Sequence, residues 1–225
     1  MPDLTTKIHN QMLERSHKLG LHEGSQAGIY GDHWGDPQTN PMIRWIRDNC
    51  LLRHVSPDKV VCEIGPGGGR WTRYLLGCKK VFAVDYYPEL LDQLFSSFRS
   101  PVLERVENNG TDFPGVPENS CDLVFSFGVF VHLDFDIIDK YLENIRKVVT
   151  PSGDVVIQYS DKRKEQAKKN PGFANNDPER MRAAIIKHGY TILEEVNDLL
   201  PHSCVVRFTP QTIPYHRPNP AHDQQ

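Results

Sequence analysis

The sequence predicts an α/β fold: a seven-stranded, mostly parallel sheet with helices on both faces and an antiparallel hairpin at its C-terminal end. Strand-like and helix-like runs alternate between residues 59 and 159, which is typical of parallel strands joined by crossover helices. A glycine run at residues 65–69 follows the first strand, and glycine permits the positive φ values that such a turn needs. The strand-like runs Tyr190–Val196 and Ser203–Phe208 are joined by six residues, too few for a crossover helix, so they must pair antiparallel.

The chain begins with a polar segment, residues 1–40, which glycines interrupt repeatedly. We expect a helix and then an irregular segment there, which we interpret as a lid. Pro41 fits the first turn of the next helix, with Asn40 as its cap. The five strands expected before the hairpin share short apolar runs and are Lys59–Ile64, Val81–Val84, Val102–Val106, Asp122–Phe127 and Asp154–Tyr159. The helices expected after the glycine run are Arg70–Leu76, Leu90–Phe98, Ile137–Val149 and Pro178–His188. These elements make one domain, residues 41–208, and the proline-rich residues 209–225 are expected to be a flexible tail.

Charge and cysteine content narrow the class of partner. A net charge of −3 and a pI near 6.4 provide no field that attracts nucleic acid or an acidic membrane, so a small molecule is the expected partner. Three of the five cysteines, Cys62, Cys121 and Cys204, lie in apolar strand-like runs, which favours reduced core thiols and a cytoplasmic location. We expect no signal peptide and no membrane span, because no stretch approaches about 18 apolar residues. The oligomeric state stays open.

The glycine run is the strongest functional signal. Gly65, Gly67 and Gly69 offer bare backbone against which a ligand can lie, between a strand and a predicted helix. Asp85 ends the second strand about 20 residues later, which is the position of the acid that binds a ribose diol in nucleotide-binding α/β folds. The two features together predict a site for a nucleoside-containing cofactor.

The run from Glu63 to Gly69, the acid Asp85, the strand Asp122–Phe127 and the terminal hairpin resemble the class I S-adenosylmethionine-dependent methyltransferases over roughly residues 40–208. The resemblance implies a Rossmann-like fold, an enzyme that transfers a methyl group, and S-adenosyl-L-methionine as its cofactor. The residues that it places against the cofactor are Glu63, Gly65, Pro66, Gly67, Gly69, Asp85, Tyr86, Asn109, Gly110 and Phe127.

The resemblance assigns roles within this set. The glycine turn lies under the methionine and ribose parts of the cofactor, Asp85 binds the ribose hydroxyls, and Tyr86 packs near the adenine. At the adenine amino group the chain departs from the family pattern, which often has Asp-Ala shortly before Leu-Pro. Asn109 stands at the best alignment with the backbone of Gly110, and its side-chain carbonyl can accept from an amino group. Asp112 is the rival candidate.

The segments Tyr30–Pro37 and Phe125–Asp134 look like those of bacterial methyltransferases that act on sugars or other hydroxyl-bearing natural products. That resemblance favours O-methylation of a small molecule, with N-methylation as the alternative. A hydroxyl acceptor needs a base, and His132 follows the fourth strand at the edge of the sheet where such folds bind ligands. His132 could instead cap or pack against the next helix. His202, at the hairpin turn, is a second candidate base with a turn role as its alternative.

Other polar groups have structural explanations. Asp134, Asp136 and Asp139 stand at a helix start, which favours capping over metal binding, so we expect no metal. The basic run at residues 162–164 could hold a phosphate, although such runs usually form a solvated face. Trp34, Tyr30 and Phe173 could form a lid or acceptor wall, or anchor their loops.

Three alternatives from other classes share part of this pattern. An NAD(P)-dependent Rossmann oxidoreductase uses a similar glycine turn and acid, but its fingerprint requires glycine where this chain has Arg70. A non-catalytic cofactor-binding subunit would keep the same fold and glycines. A nucleic-acid methyltransferase is disfavoured by the acidic charge and by residues 126–129, which read Ser-Phe-Gly-Val where an Asn-Pro-Pro-Tyr type of element is expected.

Overall fold

The computed structural model of the protein describes residues 3–19, 31 and 34–211, the side chains of 15–19 excepted. It contains one seven-stranded sheet in the order β3-β2-β1-β4-β5-β7-β6. The strands are β1 Val60–Ile64, β2 Lys80–Asp85, β3 Leu103–Glu107, β4 Cys121–Ser126, β5 Val149–Ser160, β6 Tyr190–Val196 and β7 Ser203–Pro210. The first five strands pair in parallel, whereas β7 pairs antiparallel with both β5 and β6. The predicted fold, including the C-terminal hairpin, is therefore confirmed.

Helices flank the sheet. They are α1 Leu4–Leu19, α2 Pro41–Ile46, α3 Pro88–Ser97, α4 Phe135–Val148, α5 Glu165–Lys169 and α6 Pro178–Lys187. The predicted cap of α2 is confirmed, since Asn40 Oδ1 accepts from the backbone N–H groups of Met42 and Ile43 at 3.1 and 3.2 Å. Beyond α2 the chain continues through a π-helical turn, Arg47–Leu51, and a 3₁₀ turn, Leu52–His54.

The prediction of a helix directly after the glycine run is wrong. Residues 70–76 form turns around a single 3₁₀ turn, Thr72–Tyr74. Two physical causes act here. Aromatic and β-branched residues are weak helix formers, and the Thr72 hydroxyl donates to the Glu63 carboxyl at 2.6 Å, which holds the segment against the end of β1.

Several boundaries also differ from prediction. The helix α4 ends at Val148 and β5 begins at Val149, so the predicted break at residues 151–153 lies inside the strand. The β4–β5 register shifts between Cys121 and Leu123, which lets β5 pair on both sides of that irregularity. β7 extends to Pro210 instead of 208. The rest of the predicted tail, residues 212–225, lies outside the described residues, as do residues 20–30.

Two apolar layers cover the faces of the sheet. Neighbouring residues on β1 face opposite ways, so Val61 belongs to the layer that includes Ile46 of α2, and Cys62 to the layer that includes Ile137 of α4. All five cysteines are free and buried, in agreement with core thiols. None of the helices in the described part of the chain is long and apolar enough to cross a membrane.

Candidate active site

A cavity opens where the carboxyl ends of β1, β2 and β4 meet, and we call it the glycine-turn cavity. Parallel strands place the residues that follow them at one edge of the sheet, which is where α/β folds bind ligands. Seven of the residues predicted from the sequence line it together: Gly65, Pro66, Gly67, Asp85, Tyr86, Phe127 and His132. The structure therefore brings most of the predicted site into one place.

The glycine turn needs glycine for steric reasons. Gly65 has a φ of +69° and Gly67 a φ of +56°, conformations that residues with a Cβ rarely adopt. A Cβ at Gly65 would lie 2.1 Å from Val129 Cγ2, and one at Gly69 would lie 2.3 Å from Phe98 Cε2. Gly65 and Gly67 leave bare backbone on the cavity wall, whereas Gly69 serves the packing of α3 instead.

Asp85 supplies the acidic group of this cavity. It ends β2 with 6 % of its surface exposed, and its Oδ1 accepts from the backbone N–H of Tyr87 at 3.0 Å. A carboxylate accepts hydrogen bonds and donates none, so the group suits a pair of hydroxyls such as those of a ribose. The glycine cradle and this carboxylate together fit a nucleoside-containing cofactor.

Glu63 lies behind the glycine turn and is not on the wall of the cavity. It is 2 % exposed, and its pKa is raised to about 7 because burial disfavours the charged form. The hydrogen bond from Thr72 opposes that shift, and the charge of Asp85 adds to it. Glu63 thus links the end of β1 to the turn at Thr72.

The predicted adenine residues are engaged with one another. Asn109 Oδ1 accepts from the backbone N–H of Thr111 at 3.1 Å, and the N–H of Asn109 donates to Asp112 Oδ1 at 2.8 Å. Gly110 has Ile8 of α1 directly above it, since an added Cβ would lie 2.4 Å from Ile8 Cγ2. Neither Asn109 nor Gly110 lines the glycine-turn cavity: the Asx turn engages Asn109 Oδ1, and Ile8 covers Gly110.

A second cavity adjoins the first, and we call it the histidine cavity. Its described lining is Trp34, Ile43, Arg70, Phe127, Gly128, Val131, His132, Gln158, Gln166, Asn170, Phe173, Leu200 and His202. Five of these residues line both cavities: Trp34, Arg70, Phe127, Gly128 and His132. The two candidate bases and two of the predicted wall aromatics therefore meet in one space beside the glycine turn.

His132 stands at the junction of the two cavities. Its Nδ1 lies 2.7 Å from the backbone oxygen of Gly172, and because a carbonyl only accepts, that nitrogen carries the hydrogen in the neutral ring. Nε2 then holds the lone pair. The ring also contacts Phe173 at a centroid distance of 5.3 Å. The imidazole bonds to the 172–173 segment, and this contact orients it.

The three aspartates near the start of α4 hold ion pairs. Lys7 Nζ lies 2.9 Å from Asp134 Oδ2 and 2.7 Å from Asp136 Oδ1, and Lys187 Nζ lies 2.8 Å from Asp139 Oδ2. Asp134 precedes α4 without a side-chain capping bond, so the predicted capping role is wrong for this residue because Lys7 binds its carboxylate. Within residues 3–19, 31 and 34–211, no cluster of three or more His, Cys, Asp or Glu side chains could hold a metal ion.

Arg70 is a site residue that sequence reasoning treated only as a departure from a fingerprint. It is 5 % exposed, and its guanidinium lies 5.5 Å from the ring centroids of both Trp71 and Phe127. It also donates to the backbone oxygen of Gly35 at 3.2 Å. Its place directly after the glycine run is the signal that could have identified it.

Lys164 fixes the wall of the histidine cavity from behind. Its Nζ donates to the backbone oxygens of Asn197, Leu200 and Ser203, the last two at 2.7 and 2.8 Å. The carbonyls of Asn197 and Leu200 belong to the β6–β7 connection, which carries His202, and Ser203 begins β7 directly after it. At Lys164 the basic run is therefore neither a phosphate site nor a solvated face. The three N–H donors of its ammonium group all bond to backbone oxygens of the protein.

Gln158 joins the same wall to the end of β4. It is 2 % exposed, its Oε1 accepts from the Gly128 N–H at 2.8 Å, and its Nε2 donates to Ser203 Oγ at 2.7 Å. Periodicity within β5 gives no sign of this link, since both partners are distant in sequence.

Comparison with known proteins agrees with this geometry. Residues 62–157 match the family model of the methyltransferase domain. An uncharacterised methyltransferase-like protein of Schizosaccharomyces pombe is 29% identical over 111 residues, which cover 48% of this chain and 40% of that protein. The chain thus spans well under two thirds of that relative's length.

Solved structures share the fold, among them two that each cover more than three quarters of this chain. A methyltransferase in complex with the Haloferax volcanii Trm112 methyltransferase activator has a TM-score of 0.62 at 16% identity, covering 83% of this chain and 100% of that one. The N-methyltransferase NodS of Bradyrhizobium japonicum, in complex with S-adenosyl-L-homocysteine, has a TM-score of 0.62 at 19% identity, covering 77% and 90%.

Proposed function

We propose that this chain, whose residues 62–157 match the family model of the methyltransferase domain, is a class I S-adenosylmethionine-dependent enzyme that methylates a hydroxyl group of a small molecule, with His132 as the general base. The acceptor is proposed to be a sugar or another hydroxyl-bearing natural product. The observation that carries the proposal is the place of His132, which lines both cavities and has its Nδ1 bonded to Gly172.

On this proposal the glycine-turn cavity holds the cofactor, which supplies an electrophilic methyl group when bound. Gly65, Pro66 and Gly67 give it bare backbone, Asp85 accepts from the ribose hydroxyls, and Tyr86 packs near the adenine. Asn109 and Gly110 can contribute only if the Asx turn and the contact with Ile8 open. Glu63 acts indirectly by holding the turn through Thr72.

His132 removes the proton of the acceptor hydroxyl as the oxygen attacks. A hydroxyl is a weak nucleophile until its proton is removed, and general-base catalysis contributes typically 10²–10⁴-fold. The Gly172 carbonyl keeps hydrogen on Nδ1 and so leaves the Nε2 lone pair for this task. The same carbonyl stabilises the imidazolium that forms, because Nδ1 remains a donor to it.

The test is a screen of sugar, phenol and amine acceptors that measures S-adenosylhomocysteine formation, followed by His132→Ala. We expect turnover of a hydroxyl acceptor to fall by about 10²-fold or more, with unchanged affinity for S-adenosylmethionine. His188→Ala is the matched control, because this imidazole pairs with Asp139 and lines neither cavity. Unchanged turnover in His132→Ala would assign His132 to packing. Turnover of amines alone would favour the N-methyltransferase alternative.

A further inference from the structure

His202 occupies the far side of the histidine cavity from the glycine turn. It lies in the β6–β7 connection, and its ring contacts Phe173 at a centroid distance of 5.0 Å. Since Phe173 also contacts His132, the two imidazoles border the same aromatic ring. Both therefore face a space that one small molecule can fill.

The two nitrogens of His202 have different surroundings. Nδ1 is buried and has no hydrogen-bond partner among the described residues. The ring as a whole is only partly buried and lines the cavity, so its accessible nitrogen is Nε2. An N–H buried without an acceptor is costly, and the positive charge of Lys164 lies nearby. Both facts favour an Nδ1 without a hydrogen, so the hydrogen of the neutral ring lies on Nε2.

The charge of His202 is set by the same surroundings. Burial lowers its pKa, and the charge of Lys164 lowers it further, so the ring is neutral at neutral pH. A neutral His202 with hydrogen on Nε2 is a hydrogen-bond donor toward the cavity. His132 is its counterpart, because its Nε2 holds a lone pair.

The remaining wall is almost free of charge. Arg70 is the one permanently charged side chain among the described residues that line the histidine cavity, and its guanidinium lies against Trp71 and Phe127. The other polar side chains there are amides, which bind uncharged groups. A wall of aromatic and amide groups fits a neutral, oxygen-rich molecule better than a phosphorylated one.

We infer that His202 is an acceptor-binding residue that donates from Nε2–H to a second oxygen of the methyl acceptor. The acceptor is then an uncharged molecule with at least two oxygens, such as a glycoside or a polyphenol: one hydroxyl meets His132, and the other oxygen accepts from His202. The inference rests on the proposed function for the identity of the first group, but the state of His202 can be tested without it.

The first experiment reads the tautomers directly. Long-range proton–nitrogen NMR of the full-length, ¹⁵N-labelled protein at neutral pH distinguishes the two neutral forms of each imidazole, with His202→Phe and His132→Ala used for assignment. We expect hydrogen on Nε2 of His202 and on Nδ1 of His132. Hydrogen on Nδ1 of His202, or a charged ring, would overturn the inference whether or not a methyl acceptor is known.

The second experiment tests the class of acceptor. We would compare a 1,2- or 1,3-diol glycoside or polyphenol with the matching molecule that carries a single hydroxyl, using His202→Phe, which keeps a ring without a donor, and His202→Gln, which keeps a donor. We expect His202→Phe to raise KM for the two-oxygen acceptor by about 3- to 10-fold, with little change in kcat, and His202→Gln to restore part of it. The single-hydroxyl acceptor should not respond.

The outcomes distinguish the inferred role of His202 from the proposed O-methylation. An equal loss on both acceptors, or a loss of S-adenosylmethionine affinity in His202→Phe, would make the residue structural and overturn the inference. Failure of every hydroxyl acceptor would overturn the proposed O-methylation, while the NMR result would still decide the state of His202.

Discussion

The glycine-turn cavity and the histidine cavity are built in different ways. The glycine-turn cavity is made of backbone and of residues that directly follow β1, β2 and β4. The wall of the histidine cavity depends on side chains that bond to distant backbone, as Lys164 does to Leu200 and Ser203. A site made by strand ends tolerates little variation, whereas one made by such links can change with single residues. The difference suits a fixed methyl donor and a variable acceptor.

A charged or titratable side chain lies behind the wall of each cavity. Of the changes predicted for these residues, the effect of Glu63 on the free energy of unfolding should be the largest. Its pKa is raised to about 7 in the folded protein, so between its ordinary value and about pH 7 the folded state binds more protons than the unfolded state. The free energy of unfolding therefore falls as pH rises through that interval, by on the order of 3 kcal/mol. Urea unfolding at about pH 4.5 and about pH 8 should show this loss in the native protein and not in Glu63→Gln. Equal pH dependence in both proteins would contradict it.

The wall of the glycine-turn cavity is tested by Asp85→Ala. Removal of a charged hydrogen-bond partner costs about 1–3 kcal/mol, so the Kd for S-adenosylmethionine should rise by about 5- to 150-fold. Calorimetry of the mutant measures it, and Asp92→Ala is the control, because this carboxylate on α3 is exposed and pairs with Arg105. Normal affinity in Asp85→Ala would break the assignment of this cavity to the donor.

The wall of the histidine cavity is tested by Lys164→Met. Two carbonyls of the β6–β7 connection and that of Ser203 at the start of β7 lose their donor, so the loop with His202 should loosen and kcat/KM for the acceptor should fall by about 10-fold, or about 1.4 kcal/mol. Affinity for S-adenosylmethionine should not change. Lys168→Met is the matched control, since its ammonium group, within the part of the chain that the structure describes, forms an exposed ion pair with Glu165. A parallel loss of donor affinity would show that the two walls are not independent.

The fold could be predicted from the sequence because local patterns determine it. The alternation of runs and the six-residue link between Val196 and Ser203 fix the sheet and its hairpin. The prediction failed at residues 70–76, where the hydrogen bond between Thr72 and Glu63 overrides an apolar helical pattern. That bond joins residues whose proximity arises only after folding.

The candidate site likewise contains residues that local sequence predicts and residues that depend on contacts distant in sequence. Gly65, Gly67 and Asp85 were predictable, because each follows a strand and has a steric or charge reason for its identity. Lys164 and Gln158 were not, since nothing near either in sequence indicates the carbonyls, the N–H and the hydroxyl that they bind. Asn109 was placed by alignment to a pattern, and alignment carries no information about the Asx turn that occupies its side chain.

The helix α1 lines the glycine-turn cavity and bonds to His132, which lines both cavities. Met12 lines the glycine-turn cavity, and Gln11 Nε2 donates to the backbone oxygen of His132 at 3.2 Å. Lys7 fastens the helix to Asp134 and Asp136 at the start of α4. The helix could therefore link binding of the donor to binding of the acceptor.

The smallest effect should come from Lys7→Met, and its size decides whether α1 couples the cavities. The three side chains of this cluster are 35–50% exposed, and exposed ion pairs contribute about 0.2–1 kcal/mol. Affinity for S-adenosylmethionine and KM for the acceptor should each change by less than about 5-fold. Lys140→Met, which removes an exposed pair with Glu143 on α4, is the control. A change above about 10-fold in both quantities would mean that the ion pair governs closure of α1 over one joint site, because a surface pair alone cannot supply that free energy.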